Sequence, residues 1–258
     1  MFMNKIPPKV VVTAGASGIG LAIARKFLEQ GAQVFICDVE QDTLHKTLLE
    51  NPSLQGDIAD VGNPLQIEAF FTEAITVMGG IDVLVNNAGI GGPKAKIEDI
   101  EYTDWDDCLR INLGGMFYCV KQVIPTMKAQ RNGCIINISS GSAKTGLPYR
   151  LPYVASKVGV LGLSYNIARE LGEFNIRCNT ILPGLMDNPR GRKLVVSLAK
   201  KKHMSVDEGE QEFLKYISMR TWIKPSEIAD AVHFLSSDAA CHITAQEISV
   251  DGNFEWEQ

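Results

Sequence analysis

The feature that most constrains the fold is a regular alternation of short apolar runs with segments of helical periodicity. The runs at residues 10–13, 33–38 and 81–86 are nearly continuous in apolar side chains, with little in/out alternation. Strands of this kind are buried on both faces, which is typical of a parallel sheet covered by helices. Between them, residues 21–30 place apolar side chains on one helical face. The chain is therefore predicted to form an α/β fold.

The same pattern continues to the C-terminal end of the chain. Further strands are predicted near Asp57 and at 134–139, 176–182 and 247–250, and further helices at 64–78, 103–130, 152–174 and 225–236. The expected architecture is a Rossmann-type doubly wound parallel sheet of about seven strands with helices on both faces. No repeat or linker interrupts it, so residues 1–258 are interpreted as one domain. Residues 187–222 break the alternation beyond the sixth strand, where such sheets bind ligands, and are predicted to form a substrate lid.

Composition excludes several classes of protein. The 258 residues are 45% hydrophobic and 21% charged, which is typical of a globular protein, and the net charge of −5 disfavours a nucleic-acid partner. No apolar run is long enough to cross a membrane, and the first residues do not resemble a signal peptide. The six cysteines form no C-x-x-C pair and the four histidines have no metal-ligand spacing. We expect a cytoplasmic protein with reduced cysteines and without a metal or a membrane partner.

A glycine-rich turn between the first strand and the first helix predicts a phosphate-binding site. Glycine permits close approach of the backbone to a pyrophosphate, and the helix N-terminus supplies free N–H groups and a positive dipole. The turn residues expected to contact a dinucleotide are Gly15, Ser17, Gly18, Ile19 and Gly20.

An acidic residue at the end of the second strand indicates which dinucleotide is bound. Asp38 lies 18 positions after Gly20, where a carboxylate accepts hydrogen bonds from the adenosine ribose. It would repel a 2′-phosphate, and its neighbours Cys37 and Val39 carry no positive charge. The sequence therefore favours NAD over NADP. The alternative is that Asp38 is a solvated carboxylate at a strand end.

Across its whole length the chain resembles the short-chain dehydrogenase/reductase family, of the single-domain type. The motifs that carry the resemblance are T-G-x-x-x-G-x-G at 13–20, N-N-A-G at 86–89, a strand-end serine at 140, Y-x-x-x-K at 153–157, P-G at 183–184 and V-D-G at 250–252. Two positions depart from the pattern. Ala14 stands where the family has its first glycine, and Asn188 stands where a threonine meets the nicotinamide carboxamide.

Four residues are the candidate catalytic group. Tyr153 and Lys157 are four residues apart and share a helical face, so the ammonium favours the phenolate and Tyr153 can exchange a proton with an alcohol or ketone. Ser140 can hold the substrate oxygen as charge develops. By resemblance, Lys157 also binds the nicotinamide ribose, and Asn112 supports a water-mediated proton path to it. Alternatively, each is an ordinary half-buried ring, solvated lysine, turn serine or polar helix residue.

Other positions are assigned to the cofactor by their place in the expected fold. Asn87 and Gly89 should approach its adenosine side, and Asp57 with Ile58 should border the adenine. Tyr153 and Lys157 also belong to this group. The remaining candidates for cofactor contact are Gly184, Met186 and Asn188.

The substrate is less constrained by the sequence. Arg150, Arg190 and Arg192 are candidate anchors for an anionic substrate, since guanidinium binds carboxylates in a bidentate way. The alternatives are a solvated basic helix face or an apolar pocket that includes Met186 and Trp222. By resemblance, the two long helices pair across a two-fold axis, so a homotetramer is expected, with a dimer as the fallback.

Three functions are compatible with these features. The favoured one is an NAD-dependent oxidoreductase that transfers a hydride between the nicotinamide and a secondary alcohol or ketone, with an anionic or polar hydroxy compound as the candidate substrate class. An NADPH-dependent carbonyl reductase is the nearest alternative, and Asp38 separates the two. A non-catalytic NAD-binding protein on the same fold is the third.

Overall fold

The computed structural model describes residues 7–254 and contains a seven-stranded parallel sheet. The strands are β1 (Lys9–Thr13), β2 (Gln33–Asp38), β3 (Leu54–Ile58), β4 (Val83–Asn86), β5 (Gly133–Ile138), β6 (Ile176–Pro183) and β7 (Glu247–Val250). Their order across the sheet is β3-β2-β1-β4-β5-β6-β7, and every pairing is parallel. From β1 the chain adds β2 and β3 on one side of the sheet and then β4 to β7 on the other, so the order of strands reverses between β1 and β4. In a doubly wound sheet this switch point forms a crevice at the carboxyl ends of the strands.

Helices cover both faces of the sheet. Their bounds are α1 (Gly18–Glu29), α2 (Gln41–Glu50), α3 (Pro64–Met78), α4 (Tyr102–Leu109), α5 (Gly115–Gln130), α6 (Ser142–Thr145), α7 (Leu151–Leu171), α8 (Pro189–Lys202), α9 (Val206–Leu214) and α10 (Pro225–Ser236). A π-helical turn, Arg110–Gly114, joins α4 to α5. Within residues 7–254, no helix is both long enough and apolar enough to cross a membrane.

Two hydrophobic clusters, one on each face, explain why the strands are apolar throughout. Val10 and Val12 of β1 contribute to a cluster with side chains of α1 and α10. Val11, between them, contributes to the opposite cluster with side chains of α3, α5 and α7. Because successive side chains point to opposite faces, a strand covered on both sides must be apolar at every position. The predicted doubly wound parallel sheet is thus confirmed.

The helical predictions missed two features. The segment predicted as a helix at 103–130 is helical throughout, but a π-helical turn, Arg110–Gly114, lies within it between α4 and α5. Helix α2 was not predicted, because only Leu44 and Thr47 of its ten residues are buried and its apolar periodicity is correspondingly weak. Both differences concern segments whose conformation depends on neighbouring elements more than on their own pattern.

The predicted lid segment contains two helices beyond the sheet. After β6 the chain forms α8 and α9, and it returns to the sheet edge through a parallel bridge between Met186 and Ile223. Helix α8 begins after Asn188, whose side-chain oxygen accepts from the backbone N–H of Gly191 at 2.8 Å. The segment therefore lies beyond the carboxyl ends of the strands, beside the crevice.

Candidate active site

The glycine turn between β1 and α1 is closely packed against the sheet. A Cβ on Gly20 would lie 2.1 Å from the carbonyl oxygen of Ala14, and one on Gly15 would lie 2.5 Å from a methyl group of Ile36. Neither position has room for a side chain. Ser17 caps α1 without a side-chain hydrogen bond to the helix, so its side chain satisfies none of the first N–H groups of α1. This tight turn fits the pyrophosphate of a dinucleotide.

Ala14 adopts the left-handed conformation that glycine has in the expected motif, with φ of 50°. The turn around it is held by residues at the end of β4. The side-chain amide of Asn87 donates to the carbonyl oxygens of Thr13 and Ala14, at 3.0 and 3.2 Å. In return, the hydroxyl oxygen of Thr13 accepts from the backbone N–H groups of Asn87 and Ala88, each at 3.0 Å. These bonds join the turn to β4 across the switch point.

The carboxylate of Asp38 is buried and contacts the glycine turn directly. One oxygen accepts from the backbone N–H of Ala16 at 3.1 Å. The other accepts from the N–H groups of Val39 and Glu40, at 2.8 and 3.3 Å. Asp38 is therefore a structural part of the turn, and it stands at the end of β2 where the adenosine ribose is expected. Glu40 adds a second negative charge two residues further on.

Asp57 and Ile58 lie beside Asp38 at the same edge of the sheet. In the β2–β3 ladder, Asp57 is opposite Cys37 and Ile58 is opposite Asp38. Both side chains are exposed, and the Asp57 carboxylate accepts from the N–H of Ile58 at 2.7 Å. This is the position predicted for residues that border the adenine.

A cavity of about 220 Å³ brings the predicted catalytic and nicotinamide-side residues together. Its walls come from the start of α1, the segments after β4 and β5, the first turns of α7 and the end of β6. The lining residues are Ile19, Asn87, Gly89, Ile90, Gly91, Ile138, Ser139, Ser140, Tyr153, Lys157, Pro183, Gly184 and Met186. Eight of the predicted site residues are in this group: Ile19, Asn87, Gly89, Ser140, Tyr153, Lys157, Gly184 and Met186.

Lys157 is a buried cation at the floor of this cavity. Lys157 is only 4% exposed, and its ammonium donates to the carbonyl oxygen of Ile138 at 2.9 Å. Burial lowers the pKa of Lys157 to about 8. One of its three N–H donors is used by Ile138, which leaves others for hydroxyl groups of a ligand.

Two cations lie near the Tyr153 ring. The Lys157 ammonium nitrogen and the central guanidinium carbon of Arg150 are each 5.9 Å from the centre of the Tyr153 ring. Arg150 also donates to the carbonyl oxygens of Gly92 and Pro93, at 3.1 and 3.4 Å. The guanidinium that we considered as an anchor for an anionic substrate is therefore already bonded to the backbone of the loop after β4.

The structure distinguishes the two serines after β5. The buried Ser139 hydroxyl donates to the carbonyl oxygen of Lys157 at 2.8 Å, so it fixes the catalytic helix to the sheet. Ser140 is half-buried, and its hydroxyl oxygen accepts from the backbone N–H and the hydroxyl of Ser142, at 3.2 and 3.0 Å. Because Ser140 accepts both of these bonds, its own proton is available to a substrate oxygen.

Asn112 is fully buried within the π-helical turn. Its side-chain oxygen accepts from the N–H of Ile90 at 2.7 Å, and its amide donates to the carbonyl of Ile90 at 2.9 Å. The same amide donates to the Ser156 hydroxyl at 3.0 Å. Asn112 thereby joins the loop after β4 to the helix that carries Tyr153 and Lys157. The water-mediated path through Asn112 to Lys157 stays a prediction.

Ser156 is a site residue that the sequence analysis missed. It is fully buried, and its hydroxyl donates to the backbone carbonyl of Tyr153 at 2.7 Å while it accepts from Asn112. The signal was present in the sequence, because Ser156 lies between Tyr153 and Lys157 in the Y-x-x-x-K motif. A hydroxyl on the inner face of a buried helix needs a polar partner, and here the partner is Asn112.

The lid segment uses Arg192 internally. Its guanidinium pairs with Asp187 at 2.8 Å and Glu210 at 2.5 Å, and lies 4.7 Å above the Trp222 ring. Arg192 therefore connects α8 to α9 and to the returning chain and does not line the catalytic cavity. The side chain of Arg190 lies outside the described part of the structure. Among residues 7–254, no group of three or more His, Cys, Asp or Glu side chains is arranged to hold a metal ion.

The chain is similar to known proteins over most of its length. The family model described as enoyl-(acyl carrier protein) reductase matches residues 13–254. The granaticin polyketide synthase putative ketoacyl reductase 1 of Streptomyces violaceoruber is 34% identical over 251 residues, covering 95% of this chain and 92% of the relative. The 3-oxoacyl-acyl-carrier-protein reductase FabG of Thermotoga maritima is 35% identical over 246 residues, covering 94% of this chain and 95% of the relative.

Solved structures show the same relationship. An actinorhodin polyketide ketoreductase variant with NADPH has a TM-score of 0.89 at 32% identity, covering 95% of this chain and 96% of that one. An NAD⁺-bound xylitol dehydrogenase has a TM-score of 0.88 at 28% identity, covering 96% and 100%. The motifs, the sheet order and these similarities agree over nearly the whole chain: it belongs to the short-chain dehydrogenase/reductase family, whose members are NAD(P)-dependent oxidoreductases that act on carbonyl and CH–OH groups.

Proposed function

We propose that this protein is an NAD-dependent oxidoreductase that interconverts a secondary alcohol and a ketone. The observation that carries the proposal is the meeting of Ser140, Tyr153 and Lys157 at one cavity next to the glycine turn. Side chains that could donate a proton, hold an oxygen and bind a ribose line the same space. A non-catalytic dinucleotide-binding protein has no need of all three.

The chain's own residues account for the proton and charge movements of such a reaction. Ser140 donates a hydrogen bond to the substrate oxygen, and the Tyr153 hydroxyl gives that oxygen its proton in reduction or removes it in oxidation. Lys157 places a positive charge near the Tyr153 ring and keeps donors for the ribose hydroxyls. The dinucleotide, bound across the glycine turn, supplies or accepts the hydride.

The preference for NAD rests on the charges around the adenosine end. The Asp38 carboxylate lies at the end of β2 and accepts from the backbone N–H of Glu40, a second acidic residue, so a 2′-phosphate there would be repelled. No positive charge follows Asp38 in the next two positions. The relevant measurement is the ratio of kcat/KM for NADH and NADPH, with Asp57→Asn as a control at the neighbouring strand end.

We expect the wild-type protein to favour NADH and Asp38→Asn to reduce that preference by about tenfold or more, because hydrogen bonds to a charged group contribute about 1.5–3 kcal/mol. Asparagine is chosen because its side-chain oxygen can still accept from the N–H of Ala16. Asp57→Asn should leave the ratio unchanged. A wild-type preference for NADPH would contradict the argument from Asp38.

A second candidate function is NADPH-dependent reduction of a 3-oxoacyl thioester. It is favoured by the names of relatives, which include ketoacyl reductases, and by the NADPH-bound structural neighbour. Assays with 3-oxoacyl thioesters and simple ketones, each with both cofactors, separate the two candidates. Tyr153→Phe should abolish turnover while NADH binding persists. Tight NADH binding without turnover of any substrate would instead favour the non-catalytic alternative.

We also propose a homotetramer, or failing that a homodimer, located in the cytoplasm. Helices α5 and α7 expose large apolar side chains, including Phe117, Val158 and Tyr165, which are each 45–50% exposed in the single chain. Other exposed apolar side chains are distributed over the rest of the surface, but those on α5 and α7 would be buried if these helices paired across a two-fold axis. Light scattering coupled to size-exclusion chromatography gives the stoichiometry directly, and a monomer at micromolar concentration would contradict this proposal.

A further inference from the structure

A second space lies beside the catalytic cavity and is larger and more apolar. It is a groove of about 710 Å³ between the loop after β4 and the segment before α7. Its apolar lining includes Ile97, Leu147, Tyr149 and Val154. Of these, Ile97 and Tyr149 are 71% and 57% exposed. We refer to it below as the apolar groove.

The two spaces are bordered by neighbouring residues of the same two segments, although no residue lines both. Tyr153 lines the catalytic cavity, and Val154, the next residue, lines the apolar groove. On the facing loop, Gly91 lines the cavity and Ala95 lines the groove. The Arg150 guanidinium reaches from the start of α7 to the carbonyl oxygens of Gly92 and Pro93, which lie between Gly91 and Ala95 in the chain, and its central carbon is 5.9 Å from the centre of the Tyr153 ring.

The backbone around Arg150 is held in an unusual conformation. Tyr149 has a φ of 67°, in the left-handed region that is a genuine outlier for a bulky residue. Its carbonyl oxygen accepts from the N–H of Ala95 at 3.1 Å, which fixes the segment to the facing loop. Strain of this kind persists only where the surroundings define the conformation, and it is concentrated at functional sites. Here it directs the next residue, Arg150, across the gap.

We propose that Arg150 is a specificity-determining residue that separates the catalytic cavity from the apolar groove, and that the groove receives the hydrocarbon tail of an elongated ketone or alcohol when this side chain is displaced. The inference rests on the proposed oxidoreductase function. The cavity is below the 300–1,000 Å³ usual for ligand sites, so it cannot enclose a nicotinamide together with a long substrate. The position of the groove next to the catalytic residues and its apolar lining favour a substrate tail as the occupant.

The charges at the groove support an uncharged occupant. Lys96 and Glu98, its two charged lining residues, lie 4.0 Å apart as an exposed ion pair. They therefore balance each other and do not attract a charged ligand. An alkyl or aryl chain matches the remaining surface.

The test compares wild type, Arg150→Ala and Arg150→Lys with 3-oxoacyl esters of increasing chain length. In the wild type, kcat/KM should stop rising once the chain fills the cavity. In Arg150→Ala each further methylene should raise kcat/KM by about fourfold, because burial of one methylene contributes about 0.8 kcal/mol. Arg150→Lys keeps the charge but lacks the planar guanidinium that bonds to the loop and lies near the Tyr153 ring, so its profile should be intermediate. Arg169→Ala, at the exposed far end of the same helix, is the matched control and should follow the wild type.

Other results would overturn the proposal. Identical chain-length profiles in wild type and Arg150→Ala would show that Arg150 does not separate the spaces. A groove covered by a second copy of the chain would exclude a substrate tail as its occupant. A uniform loss of kcat at every chain length, with unchanged NADH affinity, would mean that Arg150 acts on Tyr153 instead.

Failure of the proposed function is distinguishable from failure of this inference. If no variant reduces any ketone, calorimetric titration of non-reducible alkyl amides in the presence of NADH measures the groove without turnover. Tighter binding of the longer amides to Arg150→Ala than to wild type would support the separation. Equal binding would overturn it.

Discussion

Replacing Lys157 with methionine tests whether the buried ammonium is held at the expense of stability. The side chain is almost completely buried, and desolvation lowers its pKa from the ordinary 10.5 to about 8. Methionine has a similar length and no charge. It removes the ammonium together with its hydrogen bond to the carbonyl oxygen of Ile138. Activity should be abolished, but the effect on folding depends on pH.

The expected magnitude follows from proton linkage. Above pH 10.5 the amine is neutral in both the folded and the unfolded chain and carries no penalty. As the pH falls from 10.5 to 8, only the unfolded chain takes up the proton, so the folded state loses stability. Below pH 8 the full loss is present and amounts to about 3 kcal/mol, at about 1.36 kcal/mol per pKa unit. In the variant, the Ile138 carbonyl loses its partner, which lowers the free energy of unfolding by about 1–3 kcal/mol at every pH.

The measured quantity is the free energy of unfolding of Lys157→Met minus that of the wild type, from urea titrations without cofactor at equal protein concentration. Between pH 10 and pH 7 this difference should shift in favour of the variant by about 2.5 kcal/mol. The same substitution at the exposed Lys121 is the control for the exchange of lysine for methionine itself. A pH-independent difference for Lys157→Met, or a shift in the opposite direction, would refute the reasoning.

Three further substitutions test the turn and the helix support. Gly20→Ala places a Cβ 2.1 Å from the backbone oxygen of Ala14, so NADH affinity measured by fluorescence should fall at least tenfold, and unchanged affinity would contradict the packing argument. Ala14→Gly relieves a left-handed alanine and should raise the free energy of unfolding by about 0.5 kcal/mol after the entropic cost of glycine; a loss of stability would be inconsistent with the observed φ. Ser156→Ala removes the bonds to Asn112 and the Tyr153 carbonyl, so kcat should fall about tenfold with NADH affinity unchanged, and Ser156→Thr should restore part of it.

The sheet was predictable because strands that are buried on both faces are continuous apolar runs in the sequence. Val10, Val11 and Val12 are all fully buried, although they alternate between the two clusters. A strand exposed on one face would have needed polar residues at every second position. The parallel arrangement then brings residues distant in sequence, such as Thr13 and Asn87, to the same edge.

The π-helical turn could not be predicted, because tertiary contacts determine the backbone there. The segment 103–130 has helical periodicity throughout, yet Arg110–Gly114 forms a π-helical turn. The extra residue in this turn accompanies the two hydrogen bonds between Asn112 and Ile90, which come from a loop about twenty residues earlier. Such turns occur frequently at functional sites, but a periodic pattern in one helix carries no information about a distant loop.

The role of Arg192 could not be predicted for a similar reason. From the sequence, an arginine beyond a predicted sixth strand is equally compatible with substrate binding and with an exposed helix face. The structure pairs it with Asp187 and Glu210 and stacks it on Trp222. These partners are up to thirty residues away, and they meet only because α8 and α9 pack against each other.

The alanine in the glycine turn shows how a departure from a motif can leave its geometry intact. Residue 14 needs a positive φ, which costs alanine about 1–2 kcal/mol relative to an ordinary conformation. The turn around it is fixed from two sides: Asn87 bonds to the carbonyl oxygens of Thr13 and Ala14, and the Asp38 carboxylate bonds to the N–H of Ala16. Because these neighbours determine the backbone, the small cost of one methyl group does not displace it. The positions that cannot change are those where the backbone itself would be struck, above all Gly20.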